Sequence, residues 1–357
     1  MLTTEVTKRL KIQYPIIQAP MAGGTTTSEL VAAVSNSGGL GMIGAGYLSP
    51  AQLRQQIREI KELTLNPFGV NLFVPEDFSV SSNDIDFALQ TLQPLKEQLS
   101  IVEDGVDLPD SRKLVDTFHE HIEILIEEHV SVCSFTFGIP SKEVMTRLKK
   151  NDMLLIGTAA TVREAVEIEN SGMDMVVVQG SEAGGHRGNF INPHQESMIG
   201  LMSLVPQVVD CVGIPVIAAG GIMDGRGLMA AICLGAQAVQ MGTAFLTCIE
   251  SGANRLHKEA ILQADEDQVI LTRAFSGKWA RGINNQFISA MQEHETAFPA
   301  FPVQNSLTQP IRKAAAAQGN PAYMSLWSGQ SPRLAKNQTA EELIQHIMAQ
   351  AIEIKTK

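Results

Sequence analysis

Two glycine-containing segments stand where a phosphate group could bind. Gly220-Gly221 follows one short apolar run, and Met241-Gly242-Thr243 follows the next one. Because glycine has no Cβ atom, backbone N–H groups beside it can approach phosphate oxygens closely. Either segment alone is more simply explained as a tight turn. Their position after two successive predicted strands favours phosphate binding.

One histidine lies in a loop of small residues. The segment 179–188 reads QGSEAGGHRG and places His186 directly after Gly184 and Gly185. Such a backbone can lie against a flat ring, and an imidazole there can act as a general base or, when protonated, as an anchor for an anion. The alternative is a structural histidine bonded to its own loop. No metal-ligand spacing and no Ser-His-Asp set is evident.

A glutamate-rich helical stretch carries three further histidines, which are expected to lie on a solvated surface. They are His119, His121 and His129.

Three amide side chains lie in or near the ends of apolar runs: Asn71, Gln179 and Gln240. Buried amides need hydrogen-bond partners, so each is expected to meet a ligand or a neighbouring strand. Their donors and acceptors match a heterocycle such as a flavin. Met21, in a segment with Pro20 and two glycines, offers a polarizable surface for an aromatic ring, although a plain turn is the competing interpretation.

The elements that must position these residues read as repeated βα units. Eight short apolar runs are each followed by Gly, Pro or Ser and then by a helical pattern, which predicts a parallel sheet. Eight such units in series fit a closed (β/α)8 TIM barrel. The predicted strands are 15–19, 39–43, 69–74, 131–137, 153–158, 174–179, 214–219 and 236–241.

Several helices carry start or stop signals. Capping boxes, in which a Ser or Thr precedes Glu or Gln by three residues, are predicted at Ser49, Thr161 and Thr339. Asp224 is expected to start a helix that ends near Gly235, and Gly172 can take the left-handed stop position.

Long connections follow the third, sixth and eighth strands. The chain is therefore expected to be a single barrel domain over 1–357, with insertions at about 74–128 and about 265–335. Connections after barrel strands gather at the C-terminal face, so these insertions would roof one common site. The second contains both tryptophans and is predicted to be a lid.

Composition excludes several classes of protein. The formal charge is −11, without a cluster of Lys and Arg, which argues against nucleic acid and anionic membranes as partners. The apolar runs are too short for a membrane span, and the first ten residues lack a secretory signal, so a cytoplasmic location is expected. The four cysteines show no C-x-x-C spacing and are expected to be buried small hydrophobes.

Taken together, these segments resemble the nitronate monooxygenase family, formerly called 2-nitropropane dioxygenase, and within it class I. The resemblance runs over essentially the whole chain. It is carried by QAPMAGG (18–24), GVNLF (69–73), VQGSEAGGHRG (178–188), AAGGI (218–222), VQMGTAFL (239–246) and LWSGQ (326–330).

The resemblance implies an FMN-binding (β/α)8 barrel that oxidises alkyl nitronates, propionate 3-nitronate among them, with O2 to a carbonyl compound and nitrite, a detoxifying reaction. It implies that His186 is catalytic. We expect the nitronate charge to face His186, and the histidine to remove a proton only when the substrate arrives as a neutral nitroalkane. The FMN contacts that the resemblance implies are Met21, Asn71, Gln179, Gly184, Gly185, Gly220, Gly221, Gln240, Met241, Gly242 and Thr243.

Two alternatives stay open from the sequence. The FMN- and NAD(P)H-dependent enoyl-ACP reductases share the GGH loop and the AAGGI strand. Gln179, the insertion after the third strand and LWSGQ favour the monooxygenase. A flavin-free barrel that binds a phosphate-bearing ligand is the third candidate.

Overall fold

Eight parallel strands form the barrel of the computed structural model, which describes residues 2–79, 81–102, 107–192 and 194–356. They are β1 (Ile16–Gln18), β2 (Gly41–Gly44), β3 (Phe68–Phe73), β4 (Val132–Thr136), β5 (Leu154–Ala159), β6 (Met175–Gln179), β8 (Val216–Ala219) and β9 (Ala238–Met241). They pair in the order β1-β9-β8-β6-β5-β4-β3-β2. The ring closes where Ile17 of β1 bridges Leu40 beside β2, and the Gln18 N–H donates to the Leu40 carbonyl at 3.0 Å. All eight predicted strands and the predicted barrel are confirmed.

Eight helices surround the barrel, one after each barrel strand. Their apolar faces pack on the outside of the sheet in two large clusters of buried residues. They are α2 (Ser28–Asn36), α3 (Pro50–Leu63), α5 (Ser111–Glu127), α6 (Lys142–Lys150), α7 (Val162–Ser171), α8 (Leu201–Val209), α9 (Gly225–Cys233) and α14 (Ala340–Thr356).

The barrel interior has its own hydrophobic filling. Side chains from alternate positions of the strands, such as Ile17, Met42 and Val177, meet inside the ring. Helix α1 (Glu5–Leu10) adds Val6 and Leu10 to this cluster. One end of the barrel is thereby packed with apolar side chains, which leaves the opposite face for a ligand.

The helix signals read from the sequence were largely correct. Ser49 and Thr339 form the predicted capping boxes, and Gly172 ends α7 with a φ of 92°. Thr161 does cap α7, but the predicted box is incomplete because the carboxylate of Glu164 is used elsewhere. It accepts hydrogen bonds from backbone N–H groups at residues 160 and 190–192.

A fourth hydrophobic cluster lies apart from the barrel and joins the two insertions. Its apolar side chains come mainly from helices and strands of the segment after β9 and from one helix of the segment after β3. The elements outside the barrel ring are α4 (Ser82–Gln98), β7 (Gly185–His186), α10 (Thr243–Leu246), α11 (Arg255–Gln263), β10 (Val269–Thr272), β11 (Ala280–Ile283), α12 (Gln286–Met291) and α13 (Val303–Ala317), with 3-10 turns at Gln195–Ser197, Glu266–Gln268, Pro321–Tyr323 and Pro332–Leu334.

The first insertion is shorter than the sequence suggested. Helix α5 packs Phe118, Ile122 and Leu125 into the cluster between the sheet and the outer helices, so it belongs to the barrel ring. The additional segment after β3 is therefore 74–110, of which residues 80 and 103–106 lie outside the described residues.

The cysteines only partly match their prediction. All four are free; Cys133 and Cys248 are buried, whereas Cys211 and Cys233 are exposed. Within the described ranges, no helix is both long enough and apolar enough to cross a membrane.

Candidate active site

A cavity of about 1020 Å³ opens at the C-terminal ends of the barrel strands. The predicted site residues converge on it from the C-terminal ends of five barrel strands and the loops that follow them, as expected for a barrel enzyme. The predicted residues that line it are Met21, Asn71, Gln179, Gly184, Gly185, His186, Gly220, Gly221, Gln240, Gly242 and Thr243.

Met241 is the exception among the predicted contacts. Its side chain is 1% exposed and packs in the cluster between the sheet and the outer helices. Since neighbouring residues of a strand point to opposite faces, this orientation sends Gln240 into the cavity.

The loops after β8 and β9 form a polar end of the cavity. The N–H groups of Gly221 and Gly242 donate to no other group in the described part of the chain. Gly221 has a φ of 64°, and a Cβ atom there would lie 3.1 Å from the Cβ of Glu182. Open backbone donors beside glycine suit phosphate oxygens. The residues present therefore fit the phosphate of a nucleotide cofactor.

The segment 328–331 covers this polar end. The Gly329 N–H donates to Thr243 Oγ1 at 2.9 Å, and Ser331 Oγ donates to the Gly221 carbonyl at 3.1 Å. A Cβ atom on Gly184 would lie 2.5 Å from the backbone of Ser328 and Gly329, so the histidine loop and this segment touch directly. The LWSGQ motif is thus part of the site.

The three predicted amides have different environments. Asn71 donates to Ser134 Oγ at 2.8 Å on β4, which satisfies the prediction of a neighbouring strand. Gln179 donates to the His186 carbonyl at 3.0 Å and accepts from the Gly188 N–H at 2.7 Å, so its amide shapes the histidine loop. Gln240 has no side-chain partner among the described residues. It is the amide that remains open to a ligand.

His186 is held by the lid rather than by its own loop alone. It lies in β7, which pairs antiparallel with β11, and its Nε2 is 2.8 Å from Ser276 Oγ in the turn between β10 and β11. The rings of Phe137, Phe301 and Trp327 surround it, with centroids at 6.1, 5.8 and 5.5 Å. The imidazole therefore projects into an aromatic part of the cavity.

Lys278 and Arg312 line this cavity and lie close enough to His186 to act on its charge. Lys278 Nζ lies 4.7 Å from the centre of the Phe137 ring and donates to the Asn189 carbonyl at 3.3 Å. Arg312 donates to the carbonyl and side-chain oxygens of Asn305, while its Nε is buried without a partner in the described ranges. Burial lowers the pKa of both groups.

Burial and these two cations keep His186 uncharged. Burial first, and then the nearby charges of Lys278 and Arg312, lower the pKa of His186 to about 3. A neutral imidazole does not attract an anion by charge. That the nitronate charge faces His186 stays a prediction. Lys278 and Arg312 are the groups that can attract an anion. Burial also raises the pKa of Tyr47, another cavity residue, to about 12, which keeps its phenol protonated.

Comparison with known proteins agrees with this geometry. Residues 3–350 match the family model described as nitronate monooxygenase. The chain belongs to the nitronate monooxygenase family. As a member of that family it is a flavin-dependent oxidoreductase, and the predicted resemblance is confirmed.

Relatives of this family member cover nearly the whole chain. A probable nitronate monooxygenase from Staphylococcus haemolyticus is 52% identical over 97% of this chain and 96% of its own length. A structure of nitroalkane oxidase from Streptomyces ansochromogenes has a TM-score of 0.89 at 38% identity, covering 98% and 99% of the two chains. FabK from Thermotoga maritima has a TM-score of 0.78 at 32% identity, covering 100% and 98%.

Sequence reasoning missed the buried charges that support the histidine loop of this family member. Arg187 is completely buried, and its guanidinium donates to the carbonyls of Gly180 at 2.6 Å, Gln179 at 3.1 Å and Ser197 at 2.8 Å. Burial lowers its pKa to about 10. Arg281 reinforces the same loop by donating to the Ser181 carbonyl at 3.0 Å. The sequence feature that could have pointed to this role is the position of Arg187 between His186 and Gly188.

The prediction that His119, His121 and His129 lie on a solvated surface was wrong for one of the three. His119 and His129 are exposed, but His121 is 5% exposed and reaches one wall of the cavity. Burial lowers its pKa. Its position follows from the helical period, because His121 shares the inward face of α5 with Phe118 and Ile122.

His257 supports the cavity from α11. It is 9% exposed, and its Nε2 lies 2.9 Å from the Trp327 carbonyl, which helps to fix the ring that packs beside His186. No group of three or more His, Cys, Asp or Glu side chains placed to hold a metal occurs among the residues that the structure describes.

Proposed function

We propose that this protein binds FMN and uses O2 to oxidise alkyl nitronates to a carbonyl compound and nitrite, and that it serves to detoxify them. Propionate 3-nitronate is the first substrate to test. The observation that carries the proposal is the union, in one cavity, of a phosphate-type polar end, an unpartnered amide, a neutral histidine and the two cations Lys278 and Arg312, with Glu76 as an acidic neighbour of Lys278.

The polar end supports FMN as the flavin. The N–H groups of Gly221 and Gly242 would hold its single phosphate, and the short helix α10 beginning at Thr243 follows directly behind. Gln240 would hydrogen-bond the ring system, and the Met21 side chain would contact it through polarizable sulfur. A Cβ atom on Gly242 would lie 3.9 Å from Met21 Sδ, which shows that these two parts of the site adjoin.

The remaining residues support an anionic substrate. A nitronate carries a negative charge, and transfer of an anion into an aromatic cavity is unfavourable unless a cation meets it. Lys278 and Arg312 supply that charge, while Phe137, Phe301 and Trp327 exclude water around the reacting atoms. When bound, FMN supplies the redox chemistry, accepting electrons that O2 finally removes.

His186 has a separate task. Because its low pKa keeps the imidazole neutral, it has a free lone pair at neutral pH. It can remove the α-proton of a neutral nitroalkane and so produce the nitronate inside the cavity. A substrate that arrives as a nitronate does not need this step.

Anaerobic reduction tests the proposal directly. The protein is purified, reconstituted with FMN and mixed, without O2, with a nitronate or with NADH or NADPH, while the flavin absorbance is followed. We expect the nitronate to bleach the flavin rapidly and the nucleotides to act slowly. Failure to take up FMN would overturn the cofactor assignment. Rapid reduction by a nucleotide alone, with none by a nitronate, would assign the protein to enoyl-ACP reduction instead.

A further inference from the structure

The contacts of Ser276 determine which nitrogen of His186 carries the proton. Ser276 is 1% exposed and lies in the turn between β10 and β11. Its Oγ is within hydrogen-bond distance of three groups: His186 Nε2 at 2.8 Å, the Lys278 carbonyl at 3.0 Å and the Lys278 N–H at 3.3 Å. A serine hydroxyl has one proton to donate and two lone pairs that accept.

These three contacts can be satisfied together in one way only. The Lys278 carbonyl cannot donate, so it must receive the hydroxyl proton, and the Lys278 N–H must fill one lone pair. The remaining lone pair then faces His186 Nε2, which must carry a proton. If Ser276 donated to the histidine instead, the Lys278 carbonyl would lose its partner in a position where the serine is shielded from water.

The second ring nitrogen of His186, Nδ1, is a hydrogen-bond acceptor rather than a donor. In a neutral imidazole a proton on Nε2 leaves Nδ1 with a lone pair. His186 Nδ1 forms no hydrogen bond with any residue in the described ranges, and the side chain lines the cavity. The open lone pair is therefore available to a substrate.

We propose that Ser276 is a positioning residue that holds His186 as the Nε2–H tautomer, so that Nδ1 is the atom that accepts the proton. This inference rests on the proposed function. In the step, the C–H bond next to the nitro group breaks, a bond forms between that proton and Nδ1, and the electron pair stays on the substrate as the nitronate. The Nε2–H continues to donate to Ser276 throughout, so the ring does not have to turn.

The lid fixes this arrangement because it holds both the backbone and the side chain of His186. Ala280 and Arg281 of β11 pair with His186 and Gly185 of β7, while the turn that precedes β11 supplies Ser276. Any displacement of the β10–β11 hairpin moves the hydroxyl and the histidine backbone together. The segment after β9 is thus a part of the catalytic apparatus as well as a cover.

Nitrogen NMR tests the tautomer without any turnover. Protein labelled with 15N-histidine gives long-range proton–nitrogen correlations whose pattern distinguishes the two neutral tautomers, and the variant His186→Asn identifies the His186 signals. We expect the Nε2–H pattern in the wild type and a mixture of tautomers in Ser276→Ala. A wild-type Nδ1–H pattern, or an unchanged pattern in Ser276→Ala, would overturn the proposal.

Kinetics on two substrate forms provide the functional readout. Ser276→Ala should lose roughly tenfold or more in kcat/KM on a neutral nitroalkane, a part of the 10² to 10⁴ that a positioned base contributes. Its rate on the preformed nitronate should change little, and Ser276→Thr should restore part of the loss. Equal losses on both forms would show a merely structural role and contradict the proposal.

Thr308→Val is the matched control. Thr308 is a fully buried lid residue whose hydroxyl bonds the Phe275 carbonyl, next to Ser276 but without contact to His186. Its substitution should leave both the tautomer and the ratio of the two rates unchanged. If the wild type oxidised no nitronate at all, the proposed function would fail, whereas the NMR pattern would still decide the tautomer.

Discussion

Replacing Lys278 with methionine separates charge from shape in the substrate cavity. Lys278 and Arg312 are the cations that depress the pKa of His186, so they also set the potential that an incoming anion experiences. Methionine retains most of the apolar stem that passes over Phe137 and removes the charge. A nitronate should therefore lose a favourable partner, whereas a neutral nitroalkane should not.

The size of the effect follows from burial. Lys278 is partly desolvated, and truncating one partner of a buried, hydrogen-bonded charge pair costs about 2 to 5 kcal/mol. Each 1.4 kcal/mol is tenfold, so we expect kcat/KM for a nitronate to fall about 30-fold or more. Loss of the neighbouring charge should also raise the pKa of His186, which keeps or improves its strength as a base.

The assay compares nitrite release from a nitronate and from the corresponding nitroalkane by the same FMN-loaded preparations. Lys278→Arg, which keeps the charge, and Lys142→Met, which removes an exposed lysine at the start of α6, are the controls. Equal losses on both substrate forms would refute the assignment of Lys278 to the anion. So would an unchanged rate on the nitronate.

Three further predictions concern the cofactor loop, the buried arginine and the histidine. Gly221→Ala should weaken FMN binding by about tenfold or more, because an L residue at a positive φ is strained by about 1 to 2 kcal/mol and its Cβ would press on Glu182. The control is Gly319→Ala, at a φ of 67° with nothing within 4 Å. Equal FMN affinities of the two variants in a fluorescence titration would contradict the assignment. Arg187→Met should destabilise the apoprotein by about 3 to 5 kcal/mol in urea unfolding, since it leaves the buried partners of Arg187 uncompensated. Arg226→Met, at an exposed site, should cost less than about 1 kcal/mol. Similar losses of stability in both variants would refute the structural role of Arg187. Folding depresses the pKa of His186 from its usual 6.5 to about 3, so the unfolded chain binds more protons than the folded chain between these pH values. The stability contributed by the neutral ring is therefore present above pH 6.5 and is lost as the pH falls towards 3. Apoprotein His186→Gln should lose less stability over this interval, and identical pH profiles of urea unfolding for the two proteins would disprove this.

The sequence predicted the barrel well because its signals are local. Each strand is a short apolar run bounded by turn residues, and a helix of the outer ring follows each one. The glycine segments after β8 and β9 also reached the cavity as expected, since all C-terminal strand ends of a parallel barrel face one side.

The parts that escaped prediction depend on contacts distant in sequence. Ser276 is 90 residues from His186, and no spacing rule connects them. In the sequence, nothing distinguishes Lys278 and Arg312 from exposed cations, and they become buried only because the lid covers the barrel. The side chain of Gln179 lines the cavity and also bonds its own loop, and only the path of the backbone could reveal these loop contacts.

The most direct test of the central claim is the stoichiometry of aerobic turnover. FMN-loaded protein is given propionate 3-nitronate, or a simple alkyl nitronate, in an oxygen electrode, and O2 consumption, nitrite and carbonyl product are measured in the same sample. We predict that nitrite and the carbonyl compound form together in equal amounts while O2 is consumed, and that Lys278→Met slows all three in parallel. FMN-loaded protein that consumes no O2 and releases no nitrite from any nitronate would contradict the account.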